Sequence, residues 1–92
     1  MSGIANQVGG YKNITATGNV SPIASKLLGI FVASASSTPT IAVYDSATTT
    51  TTDPIVATFT PTGGTWYTIP CATESGIYVV IGGTVNATVV FA

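Results

Sequence analysis

Residues 77–91 read IYVVIGGTVNATVVF and carry the clearest structural signal in the chain. From Thr84 to Phe91, apolar residues alternate with Thr and Asn, which is the period of a strand with one buried face. Two apolar runs flank Gly82 and Gly83, and a glycine pair in that position favours a two-residue hairpin. This stretch therefore predicts two antiparallel strands joined at the two glycines.

Short runs of the same kind recur along the rest of the chain. Val, Ile and Thr make up 36 of the 92 residues, and these β-branched types favour strands. Seven runs are separated by Gly, Pro or Asn, namely 14–20, 26–34, 40–44, 55–60, 66–69, 77–81 and 84–91. We therefore expect an all-β fold, a single small antiparallel β-sandwich of about seven strands with a jelly-roll or Greek-key-like order.

The first thirteen residues differ from the remainder. They contain Gly3, Gly9 and Gly10 and show no hydrophobic period. We expect a flexible N-terminal arm over residues 1–13 and one β-sandwich domain over residues 14–92, since a chain of this length holds a single core.

Charge excludes several classes of function. Two basic and three acidic residues make 5% of the chain, against about 25% in an average soluble domain. A net charge of -1 gives no attraction for a phosphate backbone or an anionic membrane surface, so we expect neither nucleic-acid nor membrane binding. The apolar runs are too short for a spanning helix, and the start of the chain lacks the pattern of a secretory signal. We expect a protein made in a cytoplasm.

Catalytic and metal-binding groups are scarce. The sequence has no His and one Cys, Cys71, so neither a zinc site nor an activated thiol is expected. Asp45 and Asp53 end a Thr-rich loop and could together hold a hard cation, but turn residues bonded to nearby backbone are the favoured interpretation. We expect no enzyme activity, no cofactor and no metal.

The aromatic pair Trp66 and Tyr67 follows the Gly63-Gly64 turn. Adjacent strand residues point to opposite faces, so the two rings cannot form one platform. We expect Trp66 in the core and Tyr67 on the surface.

Stability is expected to depend on self-association. A core of this size is marginal without a disulfide or metal, and the predicted edge strands lack protecting lysines. We expect a homo-oligomer, with a trimer as the favoured form.

Four segments carry a resemblance to a known group of proteins. They are LGIFV at 28–32, PTIAVYD at 39–45, FTP at 59–61 followed by GTWY at 64–67, and GIYVVIGGT at 76–84. These segments resemble small β-sandwich virion proteins of tailed bacteriophages, over roughly residues 14–92. The resemblance implies capsid decoration, in which many copies bind the major capsid protein on the outside of the head and strengthen the joints between capsomers. It implies a location on the exterior of the virion, and it transfers no contact residue.

Candidate contact residues come from the arm and from the most apolar run. Ile4, Val8 and Tyr11 give the arm side chains to bury, and Leu27 and Phe31 lie on one face of a run that is apolar on both faces. The alternative is a head- or tail-fibre module that binds host surface glycans through residues 45–54 and Tyr67.

Overall fold

A computed structural model describes residues 10–92, which form six β-strands and no helix. The strands are β1 (Gly10–Ile14), β2 (Gly18–Ser21), β3 (Lys26–Tyr44), β4 (Pro54–Phe59), β5 (Thr65–Ala72) and β6 (Ile77–Phe91). The prediction of an all-β fold is confirmed for these residues. A helix of the length and apolar character needed to cross a bilayer is accordingly absent from residues 10–92.

All six strands belong to one antiparallel sheet with β3 and β6 at its centre. Each central strand is long enough to pair with two short strands at different levels: β6 pairs with β1 and β2, and β3 pairs with β4 and β5. We call one end of the sheet the β5 half; it contains β1, β5 and residues 26–36 and 84–91. The other end is the β4 half, with β2, β4 and residues 40–44 and 77–82.

Both central strands bend where the two halves meet. The register between β3 and β6 shifts here, and Ser37 and Thr38 adopt φ angles of 60° and 54°. Opposite them, Gly83 has a φ of 70°, and a Cβ at this position would lie 2.5 Å from the carbonyl oxygen of Ser37. The prediction of a hairpin at Gly82 and Gly83 is wrong, because β6 continues through both residues. Gly83 instead permits a bend in which the backbone of Ser37 comes close to it.

The predicted runs therefore divide differently among the strands. Runs 26–34 and 40–44 are joined in β3, and runs 77–81 and 84–91 are joined in β6. Run 14–20 is instead divided between β1 and β2. Six strands replace the seven that the sequence predicts.

A side-chain contact marks the division between β1 and β2. β1 ends at Ile14 and β2 begins at Gly18, while both pair with β6. Between them, the hydroxyl of Thr17 accepts a hydrogen bond from the N–H of Ile81 (2.8 Å) and donates one to its carbonyl oxygen (3.2 Å). The hydroxyl thus satisfies the backbone N–H and C=O of Ile81 at the point where the chain between β1 and β2 does not pair with β6.

The start of β1 lies within the segment predicted as an arm. Residues 10–13 pair with β6, so the predicted boundary at residue 13 falls inside a strand. The remainder of that segment, including Ile4 and Val8, lies outside the described residues.

The core is one cluster of aliphatic side chains drawn from both halves of the sheet. Val85, Ala87 and Val89 are at most 2% exposed, as their alternation predicts. The buried cluster consists of Ile14, Val20, Leu27, Ile30, Val32, Ile41, Val43, Ile77, Val79, Val85, Ala87 and Val89. Ten of its twelve members lie on the two central strands, so the core depends on pairings between residues far apart in the chain.

Candidate functional site

The carboxylate of Asp45 is engaged in holding a turn. It accepts hydrogen bonds from the backbone N–H groups of Glu74 (2.9 Å), Ser75 (2.8 Å) and Gly76 (3.2 Å). The bond from Glu74 contributes most to lowering the pKa of Asp45, and partial burial opposes it. The N–H of Asp45 donates to the carbonyl oxygen of Asp53 (2.8 Å), so the two residues meet through backbone. The described residues contain no group of three Asp, Glu, Cys or His that could hold a metal ion.

The Thr-rich loop after β3 is organised around Ser46. Its hydroxyl accepts hydrogen bonds from the backbone N–H groups of Thr48 (3.0 Å) and Thr50 (3.1 Å), and its side chain is buried. The side-chain amide of Asn19 donates to the carbonyl oxygens of Ser46 and Thr48. The loop is therefore fastened to β2, although its sequence is of low complexity.

The thiol of Cys71 is half-buried in β5. Burial raises the pKa of Cys71, and the negative charge of Asp45 raises it further. Because the thiolate is the reactive form, this environment makes the side chain a weak nucleophile.

The outer face of the β5 half carries exposed aromatic side chains. In strand register Tyr11 lies opposite Val90, and Phe31 lies opposite both Thr88 and Trp66. Since residues two apart in a strand share a face, these positions all lie on the side of the sheet away from the core. We call this surface the aromatic face; it comprises Tyr11, Asn13, Gly29, Phe31, Trp66, Thr68, Thr88 and Val90.

Three rings on the aromatic face are accessible to solvent. Tyr11 is 76% exposed, Trp66 46% and Phe31 41%. None of the eight residues of this face is charged. A cluster of exposed aromatic side chains without charge is the composition typical of the centre of a protein interface.

Gly29 gives Trp66 its position on this face. A Cβ at residue 29 would lie 2.5 Å from Cζ2 and 2.7 Å from Cη2 of Trp66, so the indole occupies the space above the glycine. The prediction that Trp66 lies in the core and Tyr67 on the surface is wrong, because pairing with β3 turns Trp66 outward. Tyr67 is half-buried, its ring packs edge-on against Phe59 (5.1 Å between centroids), and its hydroxyl accepts a hydrogen bond from the N–H of Thr62.

The predicted contact residues separate into three groups. Tyr11 and Phe31 are exposed and share the aromatic face, whereas Leu27 is fully buried in the core and does not reach the surface. Ile4 and Val8 lie outside the described residues. The sequence did not identify Trp66 as a surface residue. A glycine inside the apolar run of β3 is nevertheless a signal that another group packs closely over that strand.

Comparison with known proteins identifies no relative: no family model, curated protein or solved structure matches the chain.

Proposed function

We propose that this chain is a structural virion protein of the capsid-decoration type, which binds the outer surface of a tailed-phage head through its aromatic face. The partner is the major capsid protein, and the role is to stabilise the joints between capsomers without catalysis. The observation that carries the proposal is the set of three exposed aromatic rings on one uncharged sheet face.

The chemistry of the aromatic face supports binding to another protein. Aromatic side chains contribute most of the energy of many interfaces, because they bury a large area for few rotatable bonds. With no charge on this face, attraction does not depend on long-range electrostatics, so binding changes little with salt. Weak contacts of this kind become effective when many copies bind a repeating lattice.

We also propose that the bent sheet forms a two-layer β-sandwich, with the β5 half and the β4 half packed face to face. Val32 and Val89 of one half and Val43 and Val79 of the other are fully buried, although no helix among residues 10–92 covers the sheet. The two halves are the only described layers available to cover one another. Methyl NOEs between valines of the two halves test this arrangement, and their absence contradicts it.

The proposed function is tested by adding the purified protein to phage heads that lack it. We expect hundreds of bound copies per head and a higher temperature of genome release. The variant Trp66→Ala should weaken binding by at least about tenfold, the size expected for an aromatic anchor. Ile23→Ala is the matched control, because Ile23 is 68% exposed and lies outside the aromatic face. Absence of binding, or equal effects of the two variants, contradicts the proposal.

The second candidate function is a head- or tail-fibre module that binds host surface glycans. Trp66 favours it, because an exposed ring beside the hydroxyl-bearing Thr68 offers both an apolar surface and hydrogen-bonding groups. Trp66 is the only Trp in the chain, so its fluorescence reports contact with a sugar directly. A saturable fluorescence change with host oligosaccharides, together with no binding to heads, would favour this function.

A further inference from the structure

The edge of the sheet at β5 is the most suitable of the described edges for pairing with another strand. β5 pairs with β3 and with no other described strand, so its second edge presents backbone N–H and C=O groups to solvent. The first five residues of β5, TWYTI at 65–69, contain no charge, Gly or Pro, and Pro70 follows them within the strand. Their register with β3 is regular from Thr65 to Thr68 and shifts only between Thr68 and Cys71. The first part of β5 is therefore an uncharged segment of regular register that can accept a partner.

The other three edges are less suited to pairing. β1 carries Lys12, whose ammonium group donates to the carbonyl oxygen of Asn19. β2 has four residues and a register shift. β4 begins at Pro54, and its register with β3 shifts twice. A charge, a short length, proline and bulges are the features that natural edge strands use against unwanted pairing. In β5 the proline and the register shift lie beyond Thr68, outside the segment from Thr65 to Thr68.

We propose that β5 is a self-association edge, where two copies of this chain pair antiparallel about a two-fold axis. Two identical edges related by such an axis run antiparallel and continue both sheets. β5 suits a second copy of itself because it carries no charge, so the symmetric pairing opposes no like charges.

Pairing at β5 also joins the aromatic faces of the two copies. Symmetric antiparallel pairing keeps residues of one face together, so Trp66 and Thr68 of both copies lie on the same side of the joint. Each β5 half is four strands wide, and the dimer therefore contains one eight-stranded layer with Trp66 and Phe31 of both copies near its middle. The contact is a dimer contact, in place of the trimer expected from the sequence.

Sedimentation of the purified protein over a range of concentrations, without phage heads, tests the inference. We expect a reversible monomer–dimer equilibrium. Thr68→Asp should raise the dimer Kd by about tenfold or more, because it places two carboxylates at the joint. Thr58→Asp is the matched control, since Thr58 is also an exposed threonine on an edge strand, β4, and the change in charge is the same. We expect its Kd to equal that of the unsubstituted protein.

The outcomes separate this inference from the proposed function. A monomer at every soluble concentration, a trimer, or equal effects of Thr68→Asp and Thr58→Asp overturns pairing at β5, whether or not the protein binds heads. Trp66 fluorescence gives a second measurement: dimer formation should shift its emission to shorter wavelength, and Thr68→Asp should remove that shift. A dimer that forms without any change in this emission also overturns the proposed contact.

Discussion

The indole ring of Trp66 on β5 occupies the space above Gly29 on β3 where any other residue would place its Cβ. The glycine is thus part of the aromatic face, because it lets a large ring lie close to the sheet while 46% of the side chain remains exposed. A strand interior usually disfavours glycine, and the packing of the ring over it recovers apolar burial.

Replacing Gly29 with Ala should displace the indole of Trp66. The added methyl group would meet the ring at 2.5 Å and the carbonyl oxygen of Tyr67 at 2.6 Å, so we expect a loss of about 1–3 kcal/mol in the free energy of unfolding. Urea denaturation followed by Trp fluorescence measures it. Gly18→Ala, in β2, is the control because a Cβ there meets nothing within 4 Å. Equal stability of the two variants would refute the steric role of Gly29.

The carboxylate of Asp45 should make stability depend on pH. Its three backbone N–H bonds favour the ionised form, so its pKa is lower in the folded than in the unfolded chain. This contribution to stability is fully present above the unfolded pKa of about 3.9 and is lost as pH falls through the lower, folded pKa. Asp45→Asn should therefore lower the urea midpoint at pH 7, and the difference from the unsubstituted protein should shrink at acidic pH. Asp53→Asn controls for the change in net charge; a difference for Asp45→Asn that is constant with pH contradicts this role.

The hydroxyl of Thr17 should be required for the passage from β1 to β2. Thr17→Val leaves the N–H and carbonyl oxygen of Ile81 without this partner, and we expect a loss of about 1–2 kcal/mol in the free energy of unfolding. Thr17→Ser retains the hydroxyl and should retain most of the stability. Hydrogen exchange at the Ile81 amide gives the local readout: exchange should accelerate in the Val variant alone, and unchanged protection would contradict the bridging role.

A side chain at Gly83 should destabilise the bend. Gly83→Ala combines a positive φ with a Cβ that would lie 2.5 Å from the carbonyl oxygen of Ser37. Gly64→Ala is the matched control, because Gly64 has a similar φ of 76° and open space around its Cβ position. We expect about 1–2 kcal/mol from the backbone strain in both variants and about 1–3 kcal/mol more from the clash at Gly83. Calorimetric melting compares them, and equal losses would show that close approach at Gly83 has no cost.

Composition and alternation were sufficient for the fold class and for much of the core. β-branched residues in short alternating runs predicted an all-β chain, and the buried positions Val85, Ala87 and Val89 follow from a period of two. The scarcity of charged residues also follows from the sequence alone, because it depends on residue types and not on which residues are in contact.

Pairing between strands far apart in the chain decided the features that the local sequence left open, such as which side chain faces the core. Trp66 and Tyr67 must point to opposite faces, but only pairing with β3 selects which one faces the core. Gly83 is compatible with a hairpin or with a bend, and the approach of the Ser37 carbonyl requires the bend. Leu27 lies in a run that is apolar on both faces, and its burial depends on partners distant in sequence. A local pattern limits each residue to two alternatives, and the free energy of packing against strands far along the chain selects one of them.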